Sequence, residues 1–322
     1  MFKLSVLNLV HFTLWLRPFL WGGVLLLGSP STFASELPGA RLYGQFDVGA
    51  RYSKTGGDGG WHVDSRGSYI GVVGDFKHSE DVSVIYQLEY EVDLDGDSND
   101  TFVRNDSFLG VQSHLGTLRA GVMETPLRHL ANAVDLFSDT LGDPSELWNG
   151  DIRTSDTLYY QTPVFSLIRA EVALVASENG DTAAGEERRD GYSAALWLER
   201  DGAGIAVAAE RHIEANDLSR QRIAAHWTAG VVRLGAAVER ESRPAQSSAL
   251  AKIASVALDM GQWLVKTQYG KSDIQQRSEY LGSIGVDFLL QERLTVYTNL
   301  HRHQASTVAD FVSLEAGVRF AL

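Results

Sequence analysis

Residues 84–95, VIYQLEYEVDLD, alternate apolar and polar positions almost without a slip. Val84, Tyr86, Leu88, Tyr90, Val92 and Leu94 fall on one side; Gln87, Glu89, Glu91 and Asp93 fall on the other. Strand side chains alternate faces with period 2, so the pattern predicts a strand with one apolar and one acidic face. The same reading recurs along the chain. In 42–52, Leu42, Phe46, Val48, Ala50 and Tyr52 oppose Tyr43, Gln45, Asp47 and Arg51. In 166–176, Ile168, Ala170, Val172 and Leu174 oppose Arg169 and Glu171; in 262–269, Trp263, Val265 and Tyr269 oppose Lys266 and Gln268. Tyr280, Ile284, Val286 and Phe288 oppose Ser283 and Asp287, and the last strand sets Val312, Leu314, Ala316, Val318, Phe320 and Leu322 against Glu315 and Arg319. Ionisable groups keep off the apolar face, as they must if that face meets hydrocarbon. Two segments, 194–200 and 251–259, have apolar residues on both faces and give no orientation.

The connections alternate in length. Short ones (77–81, 113–116, 201–204, 228–230, 259–261, 290–293) take turns with long polar ones (53–67, 95–100, 177–191, 213–220, 242–249, 271–279). Tight turns at one end and long loops at the other describe an all-β fold, a transmembrane antiparallel up-and-down barrel of about sixteen strands. The longest connection, 128–156, has no strand pattern and carries Asp135, Asp139, Asp143, Glu146 and Asp151. A structureless stretch of that length in a compact fold is usually functional, and as the third long connection it is expected to fold into the lumen.

Composition narrows the choice. The chain has 322 residues, 31 glycines, 7 prolines and no cysteine. Residues 1–34 read as a signal peptide: Lys3 and Arg17 without an acid, an apolar stretch at 19–28, and Thr32 and Ala34 before the expected cleavage, leaving 35–322 as the barrel domain. Removing Lys3 and Arg17 takes the formal net charge from −13 to −15, which argues against nucleic acid as a partner. No later apolar run reaches the roughly 20 residues of a spanning helix.

Five stretches, LYGQFDVGARYS (42–53), SYIGVVGDF (68–76), VIYQLEYEV (84–92), SFLGVQSHLGTLRAGV (107–122) and RTSDTLYYQTPVF (153–165), resemble in order and spacing the general diffusion porins of Gram-negative bacteria. The resemblance implies a sixteen-stranded barrel, a homotrimer, and a third loop narrowing the pore. Such porins commonly place basic residues on the wall opposite loop acids. Here Gln45 stands where the first strand often has Lys, and Tyr69 and Asn105 stand where the second and fourth often have Arg. Arg66 and Arg104 lie nearby off register, and Arg153 matches a familiar Arg. The expected pore lining is therefore Gln45, Asp47, Arg66, Tyr69, Glu89, Glu91, Arg104, Asn105, Arg119, Asp135, Asp139, Asp143, Glu146 and Arg153. Three neutral positions and the acidic total predict a passive channel for ions and small hydrophilic solutes with weak to moderate cation preference. Its surroundings would be the outer-membrane bilayer and its lipopolysaccharide, and no cofactor is expected.

Two other readings stand beside this one. A substrate-specific channel would carry a binding track in its lumen. A rim enzyme could use His301 and His303, which share a strand face near Asp310, but no nucleophile motif or second ligand cluster accompanies them. The acidic DGDSND at 95–100 lacks the glycine and terminal glutamate spacing of a calcium loop.

Overall fold

The computed structural model describes residues 39–97, 100–177, 188–244, 246–274, 278–306 and 309–322. The signal peptide expected over 1–34 lies outside them. Strand segments follow one another as β1 (Arg41–Thr55), β2 (Asp58–Asp64), β3 (Tyr69–Lys77), β4 (Val82–Val92), β5 (Phe102–Ser113), β6 (Gly116–Glu124), β7 (Arg153–Gln161) and β8 (Ile168–Val175). They continue as β9 (Gly191–Arg200), β10 (Ala203–Arg211), β11 (Ser219–Ala229), β12 (Val232–Ser242), β13 (Ala249–Asp259), β14 (Trp263–Ser272), β15 (Glu279–Gln291), β16 (Leu294–Gln304) and β17 (Phe311–Ala321). Apart from β2 and β3, consecutive segments pair antiparallel, and β1 pairs with β17 from Gln45↔Ala321 to Thr55↔Phe311, so the sheet closes. Closure leaves no edge, which is what a sheet in hydrocarbon requires.

β2 and β3 form one interrupted wall position. β1 pairs with β3 along Arg41–Gln45 and with β2 along Gly49–Thr55. Counting them together gives a 16-strand barrel. The sequence reading of 53–67 as a long loop is corrected here: β1 and β2 form a hairpin turning at Gly56 and Gly57. Its Gly-rich composition reads as loop, yet Tyr52 and Trp61 sit directly opposite with ring centroids 5.4 Å apart, a cross-strand pair that holds the ribbon.

The faces divide as the alternation requires. Leu42, Leu109, Leu174, Ile205, Ile223 and Leu314 are exposed on the outer surface, while Asp47, Glu171, Lys266 and Glu315 are buried on the inner one. So broad an apolar exterior is unfavourable in water and matched to acyl chains. At the top of β4 the alternation stops: Val92, expected outside, is buried, its N–H bonded to the Ser68 carbonyl. A bulge at Asn105 and Asp106 shifts the β4–β5 register, and another at Ser155 and Asp156 shifts β6–β7.

Candidate functional site: the loop-narrowed lumen

The connection from β6 to β7 folds into the barrel. It begins with a short helix, α1 (Pro126–His129), whose N-cap Thr125 accepts the Arg128 N–H at 3.2 Å and whose first position is Pro126. A 3₁₀ turn follows at Leu130–Ala133, and a second at Pro144–Glu146 is capped by Asp143, which accepts the Ser145 N–H at 2.8 Å. Gly150, at φ 86, brings the chain back; a Cβ there would lie 2.9 Å from Leu127 and 3.0 Å from Arg220.

Leu127, Leu130, Val134, Phe137, Leu147 and Trp148 on the loop are almost fully buried. Most of them pack on a patch of small inward side chains, Ala195, Ala206, Ala208, Ala224, Ala237 and Ala251. Each large side chain so buried contributes about 1.5–3 kcal/mol. Small wall residues leave the loop its space: a Cβ at Gly235 would sit 2.2 Å from the Ala133 carbonyl oxygen. Gly235→Val is therefore expected to lift the loop from the wall, giving a noisier single-channel current with unchanged β-sheet circular dichroism.

Polar pins complete the docking. Arg222 donates to Glu239 at 2.9 Å, to Asp151 at 2.6 Å and to the Leu127 and Asn149 carbonyls, with its guanidinium 3.8 Å from the Trp148 ring centre. Arg220 donates to Glu210 at 2.8 Å, to Glu241 at 2.9 Å and to Glu214. Asn149 donates to Glu241, and the Gln268 amide accepts from Leu136 N and donates to the Gly142 carbonyl. The sequence reading missed this anchor. Its signal was available in RQR (220–222) and ERE (239–241), whose alternating charges meet in register as Arg220↔Glu241 and Arg222↔Glu239.

The loop tip faces a cavity lined by Gln45, Asp47, Arg51, Asp64, Arg66, Gly67, Ser138, Asp139, Thr140, Tyr297, Glu315 and Arg319. Gln45 donates to the Gly67 carbonyl at 3.0 Å; Asp47 is held by Tyr297 at 2.7 Å and Arg319 at 2.8 Å. Arg51 makes a two-point bond to Asp64, and half-exposed Arg66 lies 4.0 Å from the same carboxylate. Gln45, Tyr69 and Glu91 stand in one cross-strand row. Arg153 bridges Asp106 at 3.0 Å and Glu124 at 2.8 Å. Glu91 feels both Arg153 and Asp139 electrostatically.

Other expected residues are brought elsewhere. Glu89 faces inward but is sealed, accepting from Tyr43 at 2.7 Å and Asn105 at 3.1 Å. Arg119 sits over the Tyr159 ring, 4.2 Å from its centre, beside an inward apolar cluster of Ile85, Phe108, Met123 and Ala173. Asp135 accepts from Phe137 N and Ser138 within the loop, and burial pushes its carboxyl well above the usual range. Asp143, half-buried, is pushed up to about 6 by enclosure, against the hydrogen bonds from Ser145. Glu146 lies half-buried in the second 3₁₀ turn. Arg104 is a correction. It pairs with Tyr90 and lines an outer recess with Leu88 and Leu158, because the bulge just after it shifts its parity.

His301 and His303 do not share a site. His301 is covered by Phe137 of the loop and hydrogen-bonded to Ser283; His303 is bonded to Glu279 at 2.8 Å and stacked on Phe311. Among the described residues no group of three His, Asp or Glu side chains is placed to hold a metal. In the 93–97 stretch the Asp93 and Asp95 carboxylates accept backbone N–H groups, including that of Ser65.

A closed barrel with an apolar exterior, a charged interior and a loop pinned inside it defines a porin-type membrane protein. The chain belongs to the Gram-negative porin family, whose model matches residues 23–307. It is 27% identical over 139 residues to the major outer membrane protein P.IA of Neisseria meningitidis serogroup A, a match covering 42% of this chain and 33% of that protein. It is 27% identical over 154 residues to P.IB of Neisseria sicca, covering 44% and 43%. The chain thus matches less than half the length of these curated relatives. Among solved structures, an anion-selective porin from Comamonas acidovorans superposes with TM-score 0.75 at 15% identity, covering 88% of this chain and 99% of that one. The trimer form of Vibrio cholerae OmpT gives TM-score 0.70 at 12% identity, covering 88% and 99%. Family and fold place the protein in the outer membrane and point to a channel.

Proposed function

We propose that the barrel is a passive, water-filled pore for ions and small hydrophilic solutes, weakly to moderately cation-selective. Its long loops face outward and its short turns face the periplasm. The observation that carries the reading is the pairing of charges around the passage. Arg51, Arg153 and Arg319 each lie on carboxylates, so their positive fields are largely cancelled, while Asp139 and Glu91 remain beside the open lumen. Arg104, the one expected arginine that faces outward, adds nothing to the lumen. The anion selectivity named for the Comamonas protein belongs to that protein; at 15% identity the likeness supports the fold. A homotrimer is part of the proposal, supported by the OmpT trimer form among the similar structures, as is a surrounding layer of lipopolysaccharide.

Reversal potentials under a KCl gradient test it: cation preference is expected, and anion preference would overturn it. The preference should also depend on pH. Asp143 is charged above about 6 and neutral below, so acidification removes negative charge from the loop. The potassium-to-chloride ratio is expected to fall between about pH 7.5 and about pH 5, and an increase would contradict the assigned sign.

A further inference from the structure

On the inner wall, at the short-turn end of β5, β6 and β7, one cation stands without a carboxylate. Arg51, Arg153, Arg169, Arg220, Arg222 and Arg319 each lie on an acid. Among the described residues Arg119 forms no ion pair. Its guanidinium lies over the Phe108 ring, 5.2 Å from the centre, as well as over Tyr159, and its buried Nε–H has no acceptor. Gly110, directly opposite on β5, makes room for the side chain, since a Cβ there would lie 2.9 Å from the Arg119 Cγ. The inward acids around it are engaged elsewhere. Glu171 takes Arg169 and His129, Glu124 takes Arg128 and Arg153, and Asp106 takes Arg153. Glu199 lies 3.9 Å from Arg169. Asp75 is on the same cross-strand row through Ile85 and Gly110, but three strands away, roughly 14 Å at about 4.8 Å per strand. Glu80 and Asp81 belong to the exposed β3–β4 turn. His129 and Arg169 feel the Arg119 charge, and neither is an anion.

Polar groups without partners stand beside it. Thr117 is one inward position before Arg119, and Gln112 of β5 and Gln161 of β7 both pair with Thr117, from opposite sides. All three are half-buried, as Arg119 is, and among the described residues none of them has a side-chain hydrogen bond. The row Gln112–Thr117–Gln161 crosses three strands, roughly 10 Å, and stands about 7 Å from Arg119 along β6. With rings against its flat surface, the guanidinium offers its edge, where paired N–H groups match the two oxygens of a carboxylate. Carboxamides and a hydroxyl both donate and accept, so the row suits hydroxyl groups on a solute. One uncompensated positive charge fits a singly charged anion.

We propose that Arg119, Gln112, Thr117 and Gln161 form a subsite for small hydroxylated monocarboxylates on the short-turn side of the loop. Arg119 takes the carboxylate, and the row of amides and hydroxyl takes the solute's hydroxyl groups. The subsite rests on the pore reading above and names a solute class for it. Salt confines the field of one cation to about 8 Å, so Arg119 holds an anion locally without setting the preference at the constriction.

The test uses the mature protein in planar bilayers, with gluconate as the probe. Glucose, which lacks the carboxylate, and acetate, which lacks the hydroxyl groups, serve as its two halves. Gluconate is expected to interrupt the KCl current briefly and in proportion to its concentration, and glucose and acetate to do so rarely. Arg119→Gln should weaken the apparent gluconate affinity at least about ten-fold, through loss of a charge-assisted pair of hydrogen bonds. Gln112→Ala with Gln161→Ala should weaken gluconate about three- to ten-fold and leave acetate unchanged, a split that a merely structural role would not produce. Lys77→Gln, which removes an exposed cation of β3 at the same end, should leave gluconate unchanged. Circular dichroism checks the sheet in each variant. Three results would overturn the subsite: equal interruption in wild type and Arg119→Gln, glucose interrupting as strongly as gluconate, or an equal loss in Lys77→Gln. If Arg119→Gln does not fold, the amide double variant decides, and an unchanged gluconate affinity there overturns the subsite. A KCl step without gluconate interruption defeats the subsite alone, whereas the absence of any step defeats the pore reading.

Discussion

Arg222→Ala is expected to release the inner loop, raising both the mean single-channel conductance and its noise while the barrel remains closed. Arg222 is fully buried and holds Glu239 on the wall and Asp151 on the loop, with two loop carbonyls and the Trp148 ring around it. Removing one member of a buried ion pair costs about 3–5 kcal/mol, because the remaining carboxylates are left unpaired in a dry site. That exceeds the contribution of any single apolar side chain on the loop, about 1.5–3 kcal/mol. The apolar contacts with the alanine patch remain, so the loop should fluctuate rather than vanish from the lumen. Arg222→Met combined with Glu239→Gln removes the unpaired carboxylate on the wall and should recover part of the loss. Recordings in planar bilayers, with circular dichroism to confirm the sheet, decide the matter: an unchanged step and noise in Arg222→Ala would show that the loop is held by packing alone.

Arg153→Gln is expected to raise the ratio of potassium to chloride permeability. Arg153 bridges Asp106 and Glu124 at the foot of the loop, where β6 and β7 pair. Its removal takes one positive charge from beside the passage and leaves Asp106 without that partner, while Glu124 keeps Arg128 at 3.0 Å. One unit charge at about 8 Å in water is worth about 0.5 kcal/mol, with opposite sign for the two ions. The ratio should therefore rise about two- to five-fold, and less at high salt, where the Debye length shrinks to about 3 Å. The effect should be visible in reversal potentials even if the starting preference is small. An unchanged or lower ratio would show that the Arg153 charge does not act on the passage.

The wall was legible in the sequence wherever one face meets lipid and the other meets water. β4, β8 and β17 show this, because alternation is then forced by solvent on both sides. β9 and β13 were ambiguous for a physical reason: part of their inner faces packs against the loop, so Ala195, Trp197, Ala251 and Ile253 are apolar as well. Lys252 of β13 is on the outside, opposite Val238. Arg104 and Asn105 were both read as lumenal, but the bulge puts Arg104 outside and leaves Asn105 bonded to Glu89. One extra residue changes the parity of everything before it, and nothing local in FVRNDSF announces it. The sealing of Glu89 was equally hidden, since its partner Tyr43 lies 46 positions away. The loop's entry into the lumen was readable from its length and place in the meander, whereas its anchor depended on register between β11 and β12.

The seam between β1 and β17 bears on how the chain reaches this state. Nearly every other wall contact joins neighbouring hairpins, which can form early and cheaply because little chain must be closed between them. Asp47 meets Tyr297 and Arg319 across 250 and 272 positions. Until the final strand arrives, that carboxylate has neither partner and the growing sheet has two raw edges. Zipping the seam should thus be the slow, late event of assembly, and Asp47→Asn should retard it more than any equivalent change within a hairpin.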